Sequence, residues 1–237
     1  MTAGLPMPVA AQGLPPRVRI HEVGARDGLQ NESTVVPTAV KAEFIHRLAD
    51  AGLTTIEATS FVHPKWVPQL ADAEELFPLL ADLGDIRLPV LVPNARGLDR
   101  AVALGARRIA VFGSVTESFA KANLNRTVDE SLAMFAPVVA TARDAKVHVR
   151  GYLSMCFGDP WEGAVPIHQV VRVAKALMDM GCEELSLGDT IGVATPGHVQ
   201  SLLAELNEEG VPTNVIGVHF HDTYGQALAN TLAALQH

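Results

Sequence analysis

The chain has 237 residues, 48% of them apolar, and a formal net charge of −8 at pH 7, with an isoelectric point near 5.5 and positive mean hydropathy. That length and apolar share bury a sizeable core in one domain, while the acidic balance gives no electrostatic footprint for nucleic acid or an anionic membrane, so a phosphate on any ligand has to be met locally. Cys156 and Cys182 form no disulfide framework and fit free thiols in a reducing compartment, and no apolar run reaches the roughly 18 to 20 residues of a membrane span.

Residues 1–16 are rich in Pro, Ala and Gly and carry no basic residue before Arg17. They resemble neither a secretory signal nor an Arg-rich transit peptide, so they read as a flexible arm, and a cytoplasmic location follows if the source is bacterial. Val18 to Val23 has the length and β-formers of a strand. The stretch Glu22 to Glu32 then packs charge, amide and glycine onto its end, which places Arg26 and Asp27 in a strand-to-helix loop. Pro37 opens a helix in which Val40, Phe44, Ile45, Leu48 and Ala49 recur at helical spacing until Ala51-Gly52. The β-branched run Thr54 to Phe61 is a second strand, ending in the polar loop Val62 to Gln69.

Helix, glycine and strand then repeat. Ala71 to Leu83 is followed by Gly84 and the strand Leu88 to Val92; Arg96 to Leu104 is followed by Gly105 and the strand Arg108 to Phe112. A long helix, Thr127 to Ala145, precedes a fifth strand from Val147 to Ser154. Ile167 to Met180, Gly181 and Glu184 to Leu187 supply the next helix, stop and strand. Pro196 to Glu208 and Val215 to Phe220 give a helix and the seventh strand, and Ala227 to Leu235 a last helix.

Strands about thirty residues apart with a helix between each pair are parallel βαβ units. No G-x-G-x-x-G follows the first strand and there is no Walker loop, which removes the usual warrants for a nucleotide-binding open sheet. The pattern therefore predicts an α/β (β/α)8 TIM barrel with seven of the eight strands present. Polar residues recur where barrel strands end: Arg26 and Asp27, Glu57 and Ser60, Asn94, Arg150 and Tyr152, Ser186 and Asp189, His219 and His221. A barrel gathers them at one mouth. Because a barrel of this kind takes about 250 residues, residues 17–237 are expected to be a catalytic domain incomplete at its C-terminal end, with the eighth strand supplied by a further segment or a partner.

His219 and His221, two apart on a strand, point to one face. Joined by the carboxylate of Asp27, they offer two neutral nitrogens and an anionic oxygen, a set that suits Mg²⁺, Mn²⁺, Fe²⁺ or Zn²⁺. His21, His46, His63, His148, His168, His198 and His237 lie outside this constellation and read as structural or surface residues.

The run Glu22-Val23-Gly24-Ala25-Arg26-Asp27-Gly28-Leu29-Gln30-Asn31-Glu32 closely resembles the opening motif of the 3-hydroxy-3-methylglutaryl-CoA lyases, in the metal-dependent barrel superfamily that also holds isopropylmalate and homocitrate synthases. The resemblance continues through Thr59-Ser60-Phe61-Val62, Lys65-Trp66-Val67-Pro68-Gln69, Arg150-Gly151-Tyr152, Ser186 to Gly192 and His219 to Thr231. It implies a divalent-metal-dependent carbon–carbon lyase that cleaves 3-hydroxy-3-methylglutaryl-CoA to acetoacetate and acetyl-CoA by a retro-Claisen reaction, in leucine degradation or ketone-body formation. The implied ligands of Mg²⁺ or Mn²⁺ are Asp27, His219 and His221. Arg26 would face the thioester carbonyl, Glu57 and Asp189 would complete the catalytic set, and Gln30, Tyr152, Ser186 and Thr190 would line the pocket.

The family's asparagine ligand and its glycine-rich loop with a catalytic cysteine belong after the seventh strand, beyond His237, so Cys156 and Cys182 read as packed thiols. Ser33 stands where the family often has a lysine. Lys121 and Asn123, in the loop after the fourth strand, are candidate coenzyme A contacts against a plain solvated loop. The partner expected is an acyl-CoA substrate, with no nucleic acid and no membrane; a homodimer rests on the resemblance alone. Glu57 could equally be a structural partner of Arg26 or Arg150, and Asp189 a cap on the turn before Thr190. Three other functions fit parts of the pattern: a condensing relative joining acetyl-CoA to a 2-oxo acid, a two-His-one-carboxylate iron oxygenase, and an inactive barrel that only binds ligand.

Overall fold

A computed structural model describes residue 9 and residues 12–237. Most of the expected arm, residues 1–8, 10 and 11, lies outside the described residues. Six parallel strands make one sheet in chain order: β1 (Thr59–Ser60), β2 (Val90–Leu91), β3 (Arg108–Ser114), β4 (His148–Ser154), β5 (Glu184–Asp189) and β6 (Ile216–Phe220). The helices are α1 (Thr38–Asp50), α2 (Ala73–Leu76), α3 (Ala95–Ala103), α4 (Glu117–Leu124), α5 (Val128–Asp144), α6 (Ile167–Met180), α7 (Pro196–Glu208) and α8 (Ala227–Leu235). Neighbouring strands joined through helices in unbroken order are the winding of a TIM barrel, and among the described residues the sheet does not close on itself.

The expected first strand, Val18 to Val23, is reduced to one parallel bridge between Glu22 and Ile56. Glu22 N–H donates to Thr55 O at 3.0 Å and Glu57 N–H to Glu22 O at 2.8 Å. Its side chains explain the short ladder: Val18 and Ile20 are 53% and 60% exposed, so this edge gains little by extending the pairing. Beside the six strands, that bridge accounts for the seventh expected run.

Strand β4 shows how the sheet sorts its faces. Val149, Gly151 and Leu153 are buried, while His148, Arg150, Tyr152 and Ser154 alternate with them on the other face. A Cβ on Gly151 would meet Leu177 of α6 at 3.1 Å, so the apolar face is the one covered by helices. The opposite face carries the polar side chains, as a barrel interior does. No helix among the described residues is long and apolar enough to cross a membrane.

Three local expectations change. The helix expected over Ala71 to Leu83 is split into the short α2 flanked by 3-10 turns, because Pro78 has no N–H to continue an α-helical ladder. The loop expected after the fourth strand contains α4, closed by Asn125 in the left-handed conformation at φ 54. In α1 the buried face is Lys41, Ala42 and Ile45, whereas Val40 and Phe44 turn outward. Lys41 is buried because its ammonium reaches Gln69 O at 2.5 Å and Asp72 Oδ1 at 2.7 Å, which ties α1 to the segment after β1.

Candidate active site

The loop after the Glu22 bridge folds back on itself. Glu22 Oε1 accepts from Gly24 N–H at 2.6 Å, and Val23 O accepts from Arg26 N–H at 3.1 Å and Asp27 N–H at 2.6 Å. This single π-type turn over Gly24–Gly28 presents Arg26 and Asp27 side by side, with Arg26 Nη1 donating to Asp27 Oδ1 at 2.8 Å.

Arg26 Nε also donates to Oε1 of Glu57, which is wholly buried. Tyr152 donates its hydroxyl to the other oxygen of Glu57, and His21 Nε2 lies 3.4 Å from that same oxygen and 3.4 Å from the Tyr152 hydroxyl. The Arg26 guanidinium carbon is 5.7 Å from the centre of the Tyr152 ring, within cation–π range. Of the two arginines open as partners for Glu57, the structure takes Arg26; Arg150 pairs with Glu184 at 2.9 Å.

Burial alone would push the Glu57 carboxyl upward, but the Arg26 charge and the hydrogen bonds from His21 and Tyr152 outweigh it and hold the carboxyl at about 2. Burial likewise works against the charge of Arg26, and Glu57 with Asp27 reverses that and raises its pKa. Tyr152 is pushed well up, by burial and then by the Glu57 charge. The cluster therefore holds one fixed cation, one fixed anion and a neutral phenol near neutral pH.

Asp27, His219 and His221 converge from the first loop and the end of β6, each able to offer one ligand atom within 4.8 Å of the others. The imidazole rings are 5.0 Å apart, centre to centre. Burial lowers the pKa of His219, with Asp27 pulling the other way and His221 adding to the depression, and a neutral imidazole is the form that ligates metal. Two imidazoles and a carboxylate, all half-buried, fit a divalent cation with coordination positions left over.

The remaining expected residues divide. Asp189, at the end of β5, accepts from Val193 N–H at 2.9 Å and Ala194 N–H at 3.1 Å, so both oxygens cap the following loop. Thr190 Oγ1 accepts from Met155 N–H at 2.8 Å and braces Met155 in the left-handed region at φ 62. Ser186 is buried in register between Tyr152 and Gly217, and Gln30 is half-buried. Lys121 and Asn123 sit exposed on α4. Cys156 and Cys182 are buried free thiols pushed up to about 12, both chiefly by burial.

Two residues near these contacts carry no site assignment from the sequence. His21 was set apart as structural or surface, and its signal is its alternation with Arg19 and Val23 along the first strand. Asn230 is fully buried in α8, donating to Ala194 O at 3.0 Å; a lone amide in the run Leu228 to Leu235 was the visible sign.

The HMGL-like family matches residues 17–237. The cytoplasmic 3-hydroxy-3-methylglutaryl-CoA lyase of Rattus norvegicus is 51% identical over 94% of this chain, which spans 65% of that protein's length. The crystal structure of hydroxymethylglutaryl-CoA lyase from Pseudomonas aeruginosa superposes with a TM-score of 0.91 at 44% identity, covering 94% of this chain and 74% of that one. An HMG-CoA lyase from Acinetobacter baumannii, solved with coenzyme A and 3-methylmalate, gives a TM-score of 0.87 at 33% identity over 95% of this chain and 73% of that one. With the fold, the loop bearing Arg26 and Asp27 and the His219–His221 pair all in place, the chain belongs to the HMGL-like family.

Proposed function

We propose that the protein is a divalent-metal-dependent lyase that cleaves 3-hydroxy-3-methylglutaryl-CoA to acetoacetate and acetyl-CoA, with residues 17–237 contributing to its catalytic barrel. The observation that carries this reading is the convergence of Asp27, His219 and His221 beside a guanidinium held by Asp27 and Glu57. Relatives at half identity named as lyases and a solved relative holding coenzyme A support the substrate class.

The reaction removes the proton of the C3 hydroxyl, breaks the C2–C3 bond and leaves its electron pair as a thioester enolate, which then takes up a proton. Held by Asp27, His219 and His221, Mg²⁺ or Mn²⁺ would supply Lewis acidity that lowers an alcohol's pKa and fixes its orientation. Arg26 would stabilise the negative charge developing on the thioester oxygen. A pre-positioned donor of that kind is worth on the order of 3 kcal/mol in a site shielded from water. Glu57 and Tyr152 keep that guanidinium from swinging away, which preserves its pre-organisation. With Glu57 fixed as the partner of Arg26 and Tyr152, Asp189, once released from Val193 and Ala194, or a metal-linked histidine would take the hydroxyl proton. Gln30, Ser186 and Thr190 would contact the acyl group.

The test is acetoacetate release from 3-hydroxy-3-methylglutaryl-CoA by the native protein at known intact mass, with Mg²⁺ or Mn²⁺ and again after chelation. Chelator-sensitive acetoacetate is expected. Metal-loaded protein that makes none, yet releases free coenzyme A from acetyl-CoA and a 2-oxo acid, would replace the lyase with the condensing reaction.

A further inference from the structure

At the end of the sheet where the strands begin, opposite the His219–His221 end of β6, the polar face carries a second cluster. Arg19 Nη1 and Arg150 Nη1 both donate to Glu184, at 2.8 and 2.9 Å, and His148 Nε2 is 3.8 Å from the same carboxylate. One anion is thus shared by two guanidiniums. Arg87 and Arg108 complete the ring, and among the described residues neither makes a side-chain hydrogen bond or ion pair with an acidic group. Glu183, which is exposed, also acts on Arg108, and Glu57 lies 3.4 Å from His21, a further lining residue of the cavity that the cluster surrounds. Burial, and after it the nearby Arg87 and Arg19, presses the pKa of Arg108 downward against the opposing pull of Glu184 and Glu183.

The cluster surrounds a cavity of about 10 Å³ lined by Thr55, Arg87, Arg108, Arg150 and Glu184, among others. That is room for one water-sized particle. Two of its lining residues carry buried polar atoms that find no partner among the described residues, Thr55 Oγ1 and Arg150 Nε. Thr55 is only 3% exposed. Buried donors without acceptors are costly, and here they coincide with a local excess of positive charge.

We propose that this cavity is a binding site for a single small monatomic anion of the chloride class, separate from the Asp27–His219–His221 end. A water molecule could accept from the two orphaned donors but would leave the excess charge in place. An anion does both. A tetrahedral oxyanion such as phosphate or sulfate is too large for the space. The site closes the polar base of the sheet by neutralising it, and Gly217 permits that packing, since a Cβ there would lie 2.5 Å from Arg150 Nη2.

The test pairs crystals of the protein soaked in bromide with melting curves in which chloride replaces gluconate at fixed ionic strength. A bromide anomalous peak between Arg108 and Arg150 is expected, with a saturable chloride-dependent rise in Tm of about 3 °C. Arg108→Gln should abolish the chloride response and melt higher than the parent in gluconate, because it removes a repelled charge. Arg107→Gln, exposed and outside the cavity, should keep the response. Absence of the peak with a chloride-independent Tm, an equal loss of response in both variants, or a larger response to sulfate than to chloride would each overturn the proposal.

Discussion

The Arg26 guanidinium and the Glu57 carboxylate form a directly hydrogen-bonded ion pair, Nε to Oε1, with Glu57 wholly excluded from solvent and Arg26 8% exposed. Tyr152 and His21 hold the second oxygen of Glu57, so the anion is fixed from three sides and the guanidinium has one place to be. Such a pair is a positioning device whose stability value emerges only when one partner is removed.

Glu57→Gln keeps the volume and removes the charge. Urea unfolding is expected to show a loss of about 3 kcal/mol, because Arg26 is left buried against Asp27 alone. Cleavage of 3-hydroxy-3-methylglutaryl-CoA should fall about 100-fold, mainly in kcat. The pH dependence has a definite sign. Glu57 is held at about 2 against an ordinary 4.5, so the stabilisation it confers is complete above about pH 4.5 and is lost as pH falls towards 2. The variant should lack that part of the acid-unfolding curve; an unchanged acid limb would show that Glu57 does not carry it.

Tyr152→Phe removes one donor and leaves the ring under Arg26. A hydrogen bond to a buried charge is worth about 1.5–3 kcal/mol, and a loss at the lower end is expected because His21 can take up the oxygen that Tyr152 releases. If Tyr152 acts only through Glu57, the double variant with Glu57→Gln should lose less than the sum of the two singles. Additive losses in thermal melts of the four proteins would refute that coupling.

Much of the helical framework was legible in the chain. Helices α6, α7 and α8 have the bounds expected from their apolar spacing, since Gly181 at φ 112 stops α6 and Thr195 caps α7 ahead of Pro196. Strand runs were legible but ladder lengths were not, because a ladder depends on its neighbour: Val18 to Val23 has β-formers, yet only Glu22 pairs. The same division holds in the site. Arg26, Asp27, His219 and His221 showed themselves as polar residues at strand ends. The choice of Arg26 over Arg150 for Glu57, the two amides on Asp189 and the approach of His21 are tertiary facts that no local spacing encodes. Lys41 was hidden for a related reason, since a lysine on a helix reads as solvent-facing until the loop that receives it is placed.

Lys41→Met tests that anchor. Methionine fills the same space without the ammonium, leaving Gln69 O without its donor and Asp72 with Thr38 Oγ1 at 2.8 Å as its remaining partner. Unfolding is expected to show a cost of about 1–3 kcal/mol. Hydrogen exchange should quicken over residues 63–72, the segment that Lys41 ties to α1. Protection unchanged in that segment would mean that packing alone holds it.

The thiols give a test independent of the chemistry proposed. Cys156 is fully buried and Cys182 is 3% exposed, and both are pushed up to about 12, so little thiolate forms at neutral pH. A disulfide reagent such as DTNB, with the labelled peptides identified by mass, should modify neither Cys156 nor Cys182 in the folded protein at pH 8 and both in guanidinium. Fast labelling mapped to Cys156 or Cys182 in the native state would contradict that residue's placement.

The proposed metal ligands are tested by binding rather than turnover. Mn²⁺ titration followed by electron paramagnetic resonance is expected to show one site whose affinity falls at least about 100-fold in His221→Ala and in Asp27→Asn, since losing even an outer-shell partner of a metal site costs 10- to 100-fold. The two variants should differ in one respect. Asp27 Oδ1 also accepts from Arg26 Nη1, so Asp27→Asn loosens the guanidinium as well and should lower residual activity further than His221→Ala at equal metal occupancy. In melting curves the native protein should gain about 2.7 kcal/mol at Mn²⁺ a hundredfold above its dissociation constant, and lose it on chelation. Undiminished Mn²⁺ affinity in both variants would remove Asp27 and His221 as ligands, and with them the geometric basis for activating the substrate hydroxyl at this end of β6.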